Sequence, residues 1–113
     1  MLSIDALKEY GANTAEGLAR CMNNEAFYLR LVGTLKDEKG FDSLKSSIES
    51  GDLKGAFESA HSLKGVLGNL SITPLYQLIS EITELLRSGT QMDYTEIVSK
   101  IETEKSRFFS LFD

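Results

Sequence analysis

Apolar residues recur along this chain at intervals of three and four, the period of an α-helix with one buried face. The cleanest run is Leu75, Leu78, Ile79, Ile82, Leu85 and Leu86, at i, i+3, i+4, i+7, i+10 and i+11. Thr73-Pro74 opens it as a cap followed by proline at the first helical position, and Gly89 ends it. Before it, Leu53, Ala56, Phe57, Ala60, Leu63, Leu67 and Leu70 mark the buried side of a helix capped by Asp52 and ending near Asn69–Ser71. Phe41, Leu44, Lys45 and Ile48 give the inner face of a helix that stops at Ser50-Gly51. A last helix from about Asp93 carries Tyr94, Ile97, Val98, Ile101, Phe108 and Leu111 or Phe112.

Shorter elements precede these. Ser3 caps a helix with Ile4, Leu7 and Tyr10 on one side, closed by Gly11. Asn13 or Thr14 opens a second helix through Leu18 and Cys21. Asn24 caps a third, with Phe27, Leu31 and Leu35 expected in the core and Tyr28 and Val32 flanking. No stretch alternates with the strand period of two, and no repeat or linker appears. The connections between the long helices are short, so consecutive helices should be antiparallel neighbours. The expectation is an all-α fold: one domain over residues 1–113, an antiparallel four-helix bundle with short N-terminal helices.

The central helix has a second face. His61, Lys64, Gly65 and Gly68 fall at i, i+3, i+4 and i+7, opposite the apolar stripe. His61 is the only histidine in the chain. Helical side chains lean toward the N-terminus, so Lys64 leans back over His61, and a side chain at 65 would shade the ring. Glycine inside a helix costs roughly 0.5–1 kcal/mol relative to alanine, so two on this face suggest close approach by something large. They could equally be packing glycines against another helix. Counting through the Ser71-Ile72 turn places Thr83, Ser80 and Tyr76 of the next helix beside His61, Lys64 and Gly68.

Composition narrows the chemistry. A net charge of −5 with no basic run argues against nucleic acid as a partner. One cysteine, Cys21, excludes an intramolecular disulfide and suits a reducing compartment. No apolar run approaches the ~20 residues that cross a bilayer, so no membrane association is expected. Met1-Leu2-Ser3-Ile4-Asp5 has neither a basic n-region nor an apolar h-region, and a cytoplasmic location is expected. One histidine and one distant cysteine cannot build a structural zinc site, so no metal is expected. No nucleophile elbow or phosphate-binding loop appears. What remains is imidazole as the nucleophile, which can form covalent intermediates. Lys64 could offset the charge of a phosphoryl group on the ring, and Glu58, at i−3, could hold the other ring nitrogen. Glu58 could also be an ordinary solvated carboxylate.

At these residues the chain resembles the histidine-containing phosphotransfer (HPt) domains of bacterial-type phosphorelays. The motif His-x-x-Lys-Gly stands here as His61-Ser62-Leu63-Lys64-Gly65, within a longer match from Ala60 to Leu70. The resemblance covers roughly residues 10 to 90. It implies that His61 takes a phosphoryl group from a receiver-domain aspartyl phosphate or a sensor histidine kinase and passes it to a response-regulator aspartate. It implies no kinase domain, no nucleotide site and no cofactor, since the Mg²⁺ belongs to the receiver. Lys64 would assist with charge and Gly65 with access. Two positions depart from the family pattern: Ser71 stands where many members have glycine, and Thr83 near where many have Gln or Glu as a histidine partner. Ser80 and Gln77 are the alternatives to Thr83 as that partner. A monomer is expected, with Leu7 and Ile4 either partly exposed as docking residues or capping the end of the bundle. The competing readings are a helical module that binds receiver or kinase domains without carrying phosphate, and an acid–base enzyme using His61, which lacks a second catalytic group.

Overall fold

The short polar residues that punctuate the sequence cap its helices. In a computed structural model describing residues 1–113, the side chains of Ser3, Asn13, Asn24 and Asp52 each accept a backbone N–H from the first turn that follows, at 2.9–3.2 Å. Each satisfies a donor that the helix cannot pair internally. The helices are α1 (Ile4–Tyr10), α2 (Thr14–Arg20), α3 (Glu25–Gly33), α4 (Gly40–Glu49), α5 (Leu53–Asn69), α6 (Thr73–Arg87) and α7 (Thr95–Phe109). A 3-10 turn, Thr34–Asp37, joins α3 to α4, and another, Ser110–Phe112, follows α7. There are no strands. Thr73 is the first residue of α6 rather than its cap, a position Ile72 takes. The last helix begins at Thr95, whose N–H is accepted by Asp93 at 2.9 Å.

The long helices α4 to α7 form the bundle expected from the sequence. α5 lies between α4 and α6, and α7 packs on α6. Leu63 and Leu67 of α5 and Leu75, Ile79 and Ile82 of α6 are fully buried where the two meet. Burial of such a side chain contributes about 1.5–3 kcal/mol. Aromatic rings close one end. Phe108 lies against Tyr10, Phe109 and Phe112 with centroids 5.2–5.4 Å apart, and Arg107 sits 4.4 Å over the Tyr10 ring. That cluster ties α1 to the C-terminal end of α7.

Several positions differ from the sequence expectation in what they bury. Leu7 is fully buried among the core residues, so it offers no exposed docking surface; of the two expected docking residues, Ile4 alone remains partly open. In α3 the core face is Tyr28 and Val32, continued by Leu35 of the 3-10 turn, while Phe27 and Leu31 are half-buried. That segment is apolar at nearly every position, so periodicity allows two stripes about 100° apart. Tyr28 decides between them: its ring lies under Gly17 of α2 and its hydroxyl donates to the Leu70 carbonyl at 2.7 Å. Burial pushes this phenol up to about 12, so it stays a donor through the physiological range. Lys45 of α4 is exposed rather than inward.

The Gly17–Tyr28 contact can be tested. A Cβ at position 17 would lie 2.6 Å from Tyr28 Cε1, and the ring cannot swing away while its hydroxyl is held by Leu70. Gly17→Ala should therefore destabilise by about 1–3 kcal/mol despite alanine's higher helix propensity. Urea denaturation measures it; an unchanged or raised midpoint means that the ring yields freely.

Candidate functional site

The two faces of α5 have different fates. Ala56, Ala60, Leu63 and Leu67 are buried, while His61 and Gly65 are exposed and Lys64 is half-buried. The Phe57 ring, one turn before His61, is half-buried and nearly parallel to the imidazole, with centroids 5.7 Å apart and planes at 20°. The Arg87 guanidinium, in the last turn of α6, lies 5.1 Å from the Phe57 centroid. The helical period puts Phe57 on the buried side. It lies instead at the boundary of the buried stripe, where it shields one side of the ring.

The imidazole makes no hydrogen bond to protein. Glu58 is exposed and does not reach it. Thr83, expected beside His61, is turned fully into the core, where its hydroxyl donates to the Ile79 carbonyl at 2.5 Å. The reason is angular. Thr83 follows Ile79 by four residues and so joins the inward stripe of α6 rather than its flank. Gln77 is exposed, and the Ser80 hydroxyl is buried without a partner. Of the α6 candidates only Tyr76 reaches the same cleft as His61.

The two glycines separate into different roles. A Cβ on Gly65 would meet nothing within 4 Å. A Cβ on Gly68 would stand 3.0 Å from Tyr76 Cε1. Gly65 thus keeps open the space in front of the ring, and Gly68 lets Tyr76 lie against α5. These residues floor an open cleft of about 570 Å³. Tyr76 and Thr73 of α6 stand on one side. On the other stand Asn13, Glu16 and Arg20, from α2 and its cap.

Arg20 was not anticipated from sequence. Its Nη1 donates to the Gly68 carbonyl and to Ser71 Oγ, both at 2.9 Å, and lies 3.2 Å from Glu16 Oε1. Ser71 Oγ in turn donates to Glu16 Oε1 at 2.8 Å. The guanidinium therefore satisfies a terminal carbonyl of α5 and sits at the negative end of that helix dipole. The Ser71 hydroxyl first, and the Arg20 cation second, hold the Glu16 carboxyl below the usual carboxylate range. A carboxyl depressed in the folded state adds stability above its unfolded pKa, lost as the pH falls through its folded value. No group of three or more His, Cys, Asp or Glu is placed to hold a metal ion.

The glycine assignment predicts opposite outcomes. Gly65→Ala should stabilise the fold by about 0.5–1 kcal/mol, because a mid-helix glycine is replaced where there is room. Gly68→Ala should lose that gain to the clash with Tyr76. Urea midpoints of the two variants decide it; destabilisation by Gly65→Ala would mean that position 65 is a packing site.

The family model of the Hpt domain matches residues 34–108. The match runs from the 3-10 turn before α4 to Phe108 in α7, so it holds the whole bundle and the motif His61-Ser62-Leu63-Lys64-Gly65. It extends further toward the C-terminus than the sequence reading, and it leaves α1, α2 and α3 outside. Neither the curated proteins nor the solved structures contain a match. With two-thirds of its length matched, and an exposed histidine presented mid-helix on a four-helix bundle, this chain belongs to the Hpt domain family, the phosphotransfer carriers of two-component phosphorelays.

Proposed function

We propose that His61 is the phosphoryl carrier, loaded from the aspartyl phosphate of a receiver domain or by a sensor histidine kinase, and discharged onto a response-regulator aspartate. One observation carries this reading: an exposed imidazole with a cation one turn on and open space at Gly65. In loading from a receiver, a ring nitrogen attacks phosphorus as the bond from phosphorus to the aspartyl oxygen breaks. The carboxylate leaves with the bonding pair, and discharge reverses the step. Lys64 offsets charge on the phosphoryl oxygens. Phe57 limits the orientations open to the imidazole. The Mg²⁺ that serves the step is carried by the receiver, and this chain contributes neither a cofactor nor a nucleotide site. The chain acts as a monomeric cytoplasmic carrier rather than as a kinase.

Incubation with a phosphorylated receiver domain should give an acid-labile, base-stable phosphate on the wild type and none on His61→Gln. If His61→Gln accepts phosphate as the wild type does, the proposal fails; receiver binding without any transfer would favour the non-phosphorylated interaction module. Lys64→Ala should slow transfer about tenfold, the scale of one partly screened cation beside developing charge. Gly65→Leu should slow transfer with helicity intact, and unchanged transfer would remove the access role of Gly65.

A further inference from the structure

Ser71 sits in the turn between α5 and α6 with φ +58°, the left-handed region where glycine is at ease and other residues are uncommon. It is also buried. Its side chain accounts for the choice. The hydroxyl accepts from Arg20 at 2.9 Å and donates to Glu16 at 2.8 Å, while its carbonyl accepts the N–H of Asn13 at 3.0 Å. All three partners belong to α2 or its cap. Arg20 completes the seat by reaching the Gly68 carbonyl on α5. One residue of the turn thus fastens α2 to the end of the helix that bears His61.

α2 forms one side of the cleft in front of His61, and it lies outside the residues that match the Hpt family model. The bundle supplies the acceptor, and α2 supplies the shape and charge of the wall beside it. Arg20 bonds the carbonyl of Gly68, seven residues from His61 and so about 10 Å along the helix axis. At that distance the guanidinium does not touch a phosphoryl group on the ring. It does face any protein surface that covers the cleft from His61 to α2.

We infer that the Glu16–Ser71–Arg20 cluster selects among receiver domains: Ser71 is a positioning residue that fixes α2 as a charged wall which a receiver must fit to reach His61. The inference rests on the proposed carrier role of His61. A cluster acting through the docked partner should govern how tightly a receiver engages, not how fast phosphate moves once it has docked.

The test follows transfer from phosphorylated protein to a set of purified receiver domains as receiver concentration is varied. Ser71→Gly keeps the left-handed turn and removes the hydroxyl. It should raise the half-saturating concentration of the preferred receiver about tenfold, leave the limiting rate unchanged, and narrow the preference over other receivers by a similar factor. Arg20→Gln, at a half-exposed position, should do the same. Ser71→Asn tolerates the same backbone and offers an amide that can accept from Arg20 and donate to Glu16, so it should restore selectivity. Amide hydrogen exchange should quicken in α2 for Ser71→Gly alone among the Ser71 variants. Wild-type selectivity in both Ser71→Gly and Arg20→Gln overturns the inference, as does a fall in limiting rate with unchanged half-saturation. Chemical phosphorylation by phosphoramidate, which needs no docking, separates the two proposals. Equal labelling of His61 in wild type and Ser71→Gly shows a competent carrier, whereas wild type that takes no label on His61 defeats the carrier reading itself.

Discussion

The site depends on one constraint, the angular offset between two stripes on α5. The inward stripe of Ala56, Ala60, Leu63 and Leu67 is held between α4 and α6. That packing fixes the rotation of the helix about its axis, because turning it would expose leucines and bury charge. With rotation fixed, His61 and Gly65 face outward and Lys64 borders the core. The small residues Ala56 and Ala60 serve the same end by letting neighbouring helices come close without pushing α5 aside. The histidine face is presented by the core, and no loop is needed to hold it.

A second layer of polar contacts surrounds this rigid element. α2 is short and is joined to the end of α5 and its turn by hydrogen bonds. Such contacts contribute little net stability, about 0.5–1.5 kcal/mol each, but they are directional and define a single seat. Tyr28 reinforces them from below by bonding Leu70, the residue before Ser71. The left-handed backbone at Ser71 is tolerated because its hydroxyl, carbonyl and burial all favour one geometry. Core packing therefore sets the histidine face, and polar contacts set its surroundings.

Phe57 joins the two layers. Its ring covers one side of the imidazole while the Arg87 guanidinium approaches the ring from α6. An aromatic neighbour restricts the imidazole without hydrogen-bonding it, so both nitrogens remain free of protein partners. Neither Glu58, which is exposed, nor Thr83, which is turned into the core, bonds the imidazole, so no side chain of this protein fixes its tautomer.

The sequence by itself determined the bundle, its caps and the histidine face. Helical periodicity is a local property, and Ser3, Asn13, Asn24 and Asp52 act within one turn of themselves. Coplacement of His61, Lys64, Gly65 and Gly68 follows from 3.6 residues per turn alone. Tertiary structure decided what depends on rotation and on distant partners. It turned Thr83 into the core, buried Leu7, chose Tyr28 over Phe27, and parted Gly65 from Gly68 by placing Tyr76 against only one of them. It also brought Arg20 to Ser71 across 51 residues of chain, a meeting that no local pattern encodes. Spacing tells which residues share a face, and packing alone tells what that face meets.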